Sequence, residues 1–305
     1  MDGIIVVNKA GGVSSHQAVQ SVRKLFPGVK IGHSGTLDPM ATGVLPVCLG
    51  KGTRLVEYII ELPKKYRASV ILGKTTDTED ATGIVTSTES VPPLEKNEIE
   101  AIIESFKGEI EQLPPFYSAV KYKGKPLYHW TRIGEEAPRK IRKAHIYDIK
   151  LLDYKYDREP LLIFEAECSR GTYIRTLAAD IGKKVGCGAH LSALTRLYVG
   201  PYLLSEAYTL EQLAELAGQD QTDRFLQPLD SAVKQLSKII LEPHDIEALK
   251  CGRMVRTLPE MESIIAEDEI FRVYGRDNSF KALARFIRTE QDTMIKTVKY
   301  FERCM

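Results

Sequence analysis

Cysteine and long apolar runs are both scarce in this sequence of 305 residues. The five cysteines are odd in number and scattered, which disfavours a disulfide framework and favours a reducing compartment. No apolar run approaches the length that crosses a bilayer, and the first ten residues lack the basic start and apolar core of a secretory signal. These absences predict a cytoplasmic protein without a membrane partner.

Motifs for metals, nucleotides and cofactors are also scarce. Cys187 and His190 have the spacing of metal ligands, but a single such pair favours a packed thiol and a polar histidine. Residues 68–75, ASVILGKT, satisfy a loose phosphate-loop pattern, yet the positions between its ends are strand-like and a turn-like segment follows. We therefore expect neither a metal nor a cofactor, and chemistry by a carboxylate becomes the leading enzyme hypothesis.

Length and composition indicate two domains. The chain exceeds the usual size of one compact core, and its 43% hydrophobic and 27% charged residues exclude disorder. After about residue 237 the pattern changes to short apolar pieces such as KIIL, FRVYG and FKALARF, which are typical of a small β-rich domain. The expected domains are residues 1–238 and 239–305.

The N-terminal segment predicts a strand followed by a helix. GIIVV, at residues 3–7, is an unbroken apolar run typical of a strand covered on both faces. Ser14 and Gln17 form a capping-box pattern ahead of apolar residues at helical spacing, and Pro27 ends the helix. Glycines and prolines in residues 31–53 then exclude a long regular element, although residues 44–49 are apolar enough to be buried.

Two more strands and a helix are predicted further along the chain. Alternating apolar residues indicate strands at 66–72, with Tyr66 at its start, and at 162–168. The second strand runs through SRGT into a helical repeat that ends at Gly186. Tyr173 and Arg175 therefore lie at a strand-to-helix junction, where the first turn presents unpaired backbone N–H groups and where sites are often built.

Residues 113–146 are rich in basic and aromatic side chains. Eight lysines and arginines stand against two glutamates, with three tyrosines and the single tryptophan interleaved. By itself this pattern favours a surface that binds phosphates and stacks on bases about as much as an ordinary solvated face.

Asp38 is the candidate carboxylate. Pro39 holds its backbone in an extended conformation, and flanking glycines allow the chain to bring the carboxylate close to a ligand. A simple Asp-Pro turn explains an isolated pair equally well.

The segment IGHSGTLDPMATGVLPVCLGKGTRL, which contains Asp38, resembles the signature segment of the TruB family of bacterial tRNA pseudouridine synthases. Three further segments resemble that family in the same order: KKYRASVILGKTTDTEDATG, PPFYSAVKYKGKPLYHWTRIG and CSRGTYIRTLAADIGKKVGCGAHLSALTR. The resemblance implies an α+β pseudouridine-synthase fold, in which helices flank a large mixed or antiparallel sheet. It also implies a small C-terminal PUA-like β-barrel that binds RNA, and no cofactor.

The resemblance also implies roles for individual residues. Asp38 would attack the target nucleotide, Tyr66 would stack on the flipped uracil and help to move a proton, and Arg175 would pair with Asp38 by charge and two-pronged hydrogen bonding. The expected binding residues are the pocket residues Tyr173 and Leu194, the basic Lys9 near the pocket, His33 as a filler of the T-loop, and the phosphate contacts Lys121, Lys123 and Arg142. Ala10 replaces the proline usual after the lysine, which predicts a looser loop there.

The implied partner is tRNA, bound through its T-arm and T-loop by a monomer without an obligate protein partner. Residues 113–146 would fold over that arm. Two alternative hypotheses are an RNA chaperone that refolds tRNA without catalysis and a phosphate-loop nucleotidase that acts through Lys74.

Overall fold

The structure, a computed structural model, describes residues 1–118, 120–135, 137–257, 269–288 and 292–301. Cys304 therefore lies outside the described residues. The helices are α1 (Ser15–Leu25), α2 (Val56–Glu61), α3 (Lys96–Glu104), α4 (Leu127–Arg132), α5 (Ile174–Val185), α6 (Leu210–Gly218) and α7 (Pro243–Lys250). The strands are β1 (Gly3–Lys9), β2 (Ile31–His33), β3 (Thr42–Leu49), β4 (Lys64–Leu72), β5 (Lys74–Thr76), β6 (Val85–Thr88), β7 (Gly108–Gln112), β8 (Lys121–Tyr122), β9 (Lys125–Pro126), β10 (Arg142–Lys155), β11 (Leu161–Cys168), β12 (Ala189–Val199), β13 (Tyr202–Leu203), β14 (Leu226–Gln227), β15 (Lys238–Ile240), β16 (Val255–Arg256), β17 (Ile270–Tyr274), β18 (Phe280–Arg288) and β19 (Thr293–Tyr300).

A ten-stranded mixed sheet forms the centre of the molecule. Its order is β14-β1-β3-β12-β4-β11-β10-β7, with β13 paired to β12 and β2 to β3. Only the β3–β12 pairing is parallel among these described strands. Helices α3 and α5 pack on the half built from β4, β10, β11 and β12, whereas α1 and α6 pack beside β1.

The first strand is covered on both faces, as the unbroken run GIIVV predicts. Ile4 and Val6 join one hydrophobic core, and Ile5 and Val7 join another on the opposite face. Because both cores are closed over this strand, neither face can accept a polar side chain without a cost of several kcal/mol, on the order of 2–7.

The predicted start of the first helix and the predicted end of the later helix are both confirmed. Ser14 caps α1 in a capping box with Gln17, and Gly186 ends α5 in a left-handed conformation with φ of 90°. The alternating segments 66–72 and 162–168 lie within β4 and β11, whose apolar positions are buried.

The expectation that residues 31–53 hold no long regular element was wrong, because β3 runs for 8 residues. Pro46 lies inside this strand, opposite Val6 of β1. The carbonyl of Pro46 accepts a hydrogen bond from the Ser34 N–H at 3.1 Å. Since N and O of one strand residue point to the same side, the proline nitrogen faces away from β1 and removes no hydrogen bond from that ladder.

A second, five-stranded sheet follows in the order β15-β17-β18-β19-β16 and shares a core with α7. Helix α7 was not expected in this segment. Leu283 of β18 and Phe301, which follows β19, are buried in the same core as Ile4 and Val44 of the large sheet. The Arg54 guanidinium also donates to the Tyr300 carbonyl at 2.7 Å. The two sheets therefore pack directly against each other.

Gly43 provides a test of the tight β3–β12 pairing. Its φ is +102°, and a Cβ there would lie 2.3 Å from the Arg196 carbonyl oxygen. Gly108 has a similar φ of +107°, and no atom of the described part of the chain lies within 4 Å of the corresponding Cβ position.

We expect Gly43→Ala to lower the free energy of unfolding by roughly 2–4 kcal/mol, since backbone strain and a steric clash combine. Gly108→Ala should cost about 1–2 kcal/mol, from backbone strain alone. Urea unfolding followed by circular dichroism measures both. Equal losses would contradict the clash.

Candidate active site

Asp38 lies in the loop between β2 and β3, and hydrogen bonds fix this loop on both sides of it. The Ser15 hydroxyl donates to the Leu37 carbonyl at 3.0 Å and accepts from the Leu37 N–H at 2.8 Å. The Gly12 N–H donates to the Pro39 carbonyl at 2.9 Å. The Asp38 side chain, 33% exposed, is thus presented from a fixed backbone.

Arg175, in the first turn of α5, lies against this carboxylate. Its Nη2 donates to Asp38 Oδ1 at 3.1 Å, and its Nε lies 2.8 Å from Oδ2 without the geometry of a hydrogen bond. The side chain is 5% exposed, and it also donates to the carbonyls of Thr78 at 3.1 Å and Tyr117 at 2.8 Å. The Nε and Nη2 atoms of this buried guanidinium therefore both face the Asp38 carboxylate.

Asp80 is a residue that sequence reasoning missed. It is buried between β5 and β6, with Oδ2 at 3.7 Å from Arg175 Nε. Its Oδ1 accepts from the Thr78 hydroxyl at 2.8 Å and from the Thr82 N–H at 2.9 Å. The segment TTDTEDATG was interpreted only as a turn. The available signal was the cluster of threonines around Asp77 and Asp80.

Burial raises the pKa of Asp38 above its ordinary value. The Arg175 charge counteracts that rise, Asp80 adds to it, and Lys9 opposes it more weakly. The guanidinium therefore favours the carboxylate form in a place where desolvation favours the neutral acid.

Tyr66 and Leu194 lie on the same face of neighbouring strands. Leu194 of β12 pairs in register with Ala68 of β4, and Arg196 pairs with Tyr66. Both Tyr66 and Leu194 are buried in one core with Leu37, which precedes Asp38 by one residue. Burial raises the pKa of Tyr66 above 10, so the phenol is protonated at neutral pH.

Lys9 ends β1 and is fully buried. Its ammonium donates to the carbonyls of Ala10 at 2.8 Å, Val13 at 2.6 Å and Pro39 at 3.2 Å. Burial lowers the pKa of Lys9 to about 8. These bonds link residues 10–13 to the Asp38 loop. The segment at Ala10, which lacks the usual proline, is therefore held in place by Lys9.

The structure fixes the backbone of Tyr173 and buries a ring nitrogen of His33. Tyr173 is the N-cap of α5, and the buried Gln112 side chain holds its backbone with bonds to N–H at 2.9 Å and to C=O at 3.1 Å. His33 ends β2, and its buried Nδ1 has no hydrogen-bond partner among the residues that the structure describes. Burial lowers the pKa of His33, so the ring is neutral at pH 7.

The basic segment, residues 113–146, begins and ends beside the pocket. The Tyr117 carbonyl contacts Arg175, and the hairpin β8–β9 carries Lys121 and Lys123, both exposed. Arg142 starts β10 opposite Gln112 and is exposed. Within the described residues, no carboxylate forms an ion pair with any of these three cations.

The rejected motifs have structural roles. Lys74 starts strand β5 and pairs with Glu159, so no helix follows ASVILGKT and the phosphate-loop interpretation is excluded. The His190 ring contacts the Lys74 carbonyl at 2.9 Å, and Cys187 is buried. Across the described residues, no group of three or more potential ligands could hold a metal ion. Nor does any described helix have the length and apolarity to cross a membrane.

Two solved structures superpose on nearly the whole of this chain. A chain from a Cbf5–Nop10–Gar1 complex superposes with a TM-score of 0.75 at 26% identity, covering 98% of this chain and 85% of that chain. A chain from an H/ACA RNP bound to a substrate RNA containing 2′-deoxyuridine gives 0.74 at 24% identity, with 99% and 85% covered. The expected α+β fold class is thereby confirmed.

Sequence comparison defines the class of protein as a pseudouridylate synthase. The family model of the TruB family pseudouridylate synthase N-terminal domain matches residues 23–174, and that of the tRNA pseudouridylate synthase B C-terminal domain matches residues 175–234. The chain belongs to the TruB family.

Curated relatives extend over most of the chain. The tRNA pseudouridine synthase B of Marinomonas sp. is 41% identical over 278 residues, which is 90% of this chain and 88% of the relative. That of Geobacillus kaustophilus is 40% identical, covering 90% and 98% respectively. The resemblance drawn from the sequence segments is confirmed.

The charges around Asp38 predict opposite effects of two substitutions. Arg175→Gln should raise the pKa of Asp38, because the nearest positive charge is lost. Asp80→Asn should lower it, because a negative charge is lost while the Thr78 and Tyr117 carbonyls still hold Arg175.

Carboxyl carbon-13 NMR titration measures both pKa values, with Asp38→Asn used to assign the signal. Asp153→Asn, at an exposed site, serves as the control and should leave the titration unchanged. Shifts of the same sign in the two active-site variants would contradict the arrangement.

Proposed function

We propose that this chain isomerises uridine to pseudouridine in the T-loop of tRNA, at position 55, without a cofactor. The observation that carries the proposal is the ion pair of Asp38 with the buried Arg175, located beside Tyr66 in a chain of the TruB family. The names of the relatives support tRNA as the substrate. We place the activity in the cytoplasm.

Asp38 is the group that attacks the nucleotide, and the bond that it forms breaks again before the product leaves. The bond between N1 of uracil and the ribose breaks, the base turns, and a bond forms from C5 to the same ribose carbon. The C5 proton then leaves and N1 gains a proton, so the atoms balance as an isomerisation. Arg175 supports this step because its charge favours the carboxylate form, which burial disfavours.

The remaining pocket residues hold the flipped base. Tyr66 stacks on the uracil, with Leu194 beside it on the same face of the sheet and Tyr173 at the start of α5. The neutral ring of His33 occupies the space that the base leaves in the T-loop. Lys9 acts on the Asp38 loop through the Pro39 carbonyl.

The basic segment binds the tRNA arm. Lys121, Lys123 and Arg142 are exposed cations near the pocket, which suits contact with phosphates. We further propose that residues 1–238 form the catalytic domain and 239–305 a PUA-like RNA-binding domain, which fits the start of the second sheet at Lys238. The protein acts as a monomer.

Asp38→Asn tests the catalytic assignment. Tritium release from tRNA transcript labelled at uracil C5 should fall by about 10⁴-fold or more, because the amide cannot act as the attacking anion. Affinity for tRNA, measured in parallel, should change less than about twofold, since the side chain is nearly isosteric.

Full activity in Asp38→Asn would refute the assignment. A wild-type protein that binds tRNA without turnover would instead support the chaperone hypothesis, because a binding function needs the basic surface but not the carboxylate.

Salt dependence tests the phosphate contacts. The combined variant Lys121→Ala, Lys123→Ala and Arg142→Ala should bind tRNA more weakly and reduce the slope of log affinity against log salt by about 2–3. The matched control removes Lys74, Lys107 and Lys155, three cations outside the segment that already pair with carboxylates. If both triple variants change the slope equally, the segment is not the phosphate-binding surface.

A further inference from the structure

Arg196 is a buried cation that the proposed mechanism leaves without a role. Its side chain is 1% exposed, on β12 in the interior of the large sheet. Nε donates to the Val44 carbonyl at 2.6 Å and Nη2 to the Gly35 carbonyl at 3.1 Å. Within the part of the chain that the structure describes, it forms no ion pair with a carboxylate. A buried charge held only by carbonyls is costly to maintain.

The positions of its partners place Arg196 at the catalytic centre. Gly35 lies on the loop that carries Asp38, and Val44 lies on β3 just after that loop. On its other side, Arg196 pairs in register with Tyr66 across β12 and β4. Directly opposed side chains on one sheet face stand about 5 Å apart at Cβ, which is within reach of a guanidinium and a phenol.

The other buried cations of this region, Lys64 and Lys9, contact different groups. The Lys64 ammonium donates to the carbonyls of Ile60 at 2.8 Å and Leu62 at 2.7 Å at the end of α2, and Lys9 holds residues 10–13 and Pro39. Neither is a register partner of Tyr66, which faces Ala166 of β11 on its other side. Arg196 is thus the cation placed to act on the phenol.

We propose that Arg196 is a positioning residue for Tyr66, which fixes the phenol oxygen relative to the Asp38 loop and stabilises negative charge on it during proton transfer. This inference rests on the proposed function. In that reaction the Tyr66 hydroxyl gives its proton to water, and the phenol oxygen then takes the C5 proton as the C5–H bond breaks. The electron pair of that bond stays with the uracil ring, and N1 takes its proton from the water. Burial raises the pKa of Tyr66, and the Arg196 charge is the largest factor that opposes the rise. The guanidinium therefore lowers the cost of an electron-rich phenol oxygen.

A double-mutant cycle separates this role from a purely structural one. The four proteins are the wild type, Arg196→Gln, Tyr66→Phe and the double variant. Each is assayed for single-turnover tritium release from C5-labelled tRNA, for tRNA affinity and for thermal stability. Arg67→Gln is the matched control, because Arg67 adjoins Tyr66 on β4 but points to the opposite face, exposed and paired with Glu165.

Arg196→Gln should slow tritium release at least about tenfold with Tyr66 present and less than about twofold in the Tyr66→Phe background, with tRNA affinity unchanged. Arg67→Gln should match the wild type. An equal loss in both backgrounds overturns the proposal, because Arg196 would then act on the fold or on the Asp38 loop. A wild type without tritium release refutes the proposed function instead.

Arg196→Lys covers the case in which the glutamine variant does not fold. Lysine keeps the charge but not the planar fork that reaches Gly35, Val44 and Tyr66 together. The same cycle with lysine should again show a loss that depends on the Tyr66 hydroxyl. A loss of equal size in the Tyr66→Phe background overturns the proposal here as well.

Discussion

The active site is built around the buried guanidinium of Arg175. Arg175 lies between Asp38 and Asp80, and it also donates to the carbonyls of Thr78 and Tyr117. Moving a charge from water into the protein interior is costly, so a stable fold needs all of these acceptors close to the Arg175 guanidinium. The loop after β2, the loop after β5 and the start of the basic segment converge there for that reason. Catalytic geometry and stability thus depend on the same contact.

Positive side chains also fix the backbone around the pocket. Lys9, Lys64 and Arg196 are all buried, and each binds main-chain carbonyl oxygens of loops or helix ends. Of these three cations and Arg175, the charges of Arg175 and Lys9 act on Asp38. Positive charge at this place attracts a polyanion and favours the ionised form of Asp38 at the same time.

Local patterns predicted much of the fold. The capping box of Ser14, the left-handed end at Gly186 and the alternation along β4 each depend on neighbouring residues, and all are found in the structure. Strand β3 was missed because Pro46 and several glycines exclude regular structure when read locally. Only the sheet shows that the Pro46 nitrogen faces away from β1. The missed helix α7 is short and has a weak apolar pattern.

The sequence by itself determined the family, the fold class and the candidates Asp38, Tyr66 and Arg175, because long ordered segments and short-range patterns are written along the chain. It did not contain the place of Asp80 or Arg196. Asp80 follows Asp38 by 42 positions and Arg196 follows Tyr66 by 130, so no local pattern joins them. The tertiary structure decided these contacts, since the pairing of β4 with β12 and the packing of α5 bring distant charges within a few ångströms.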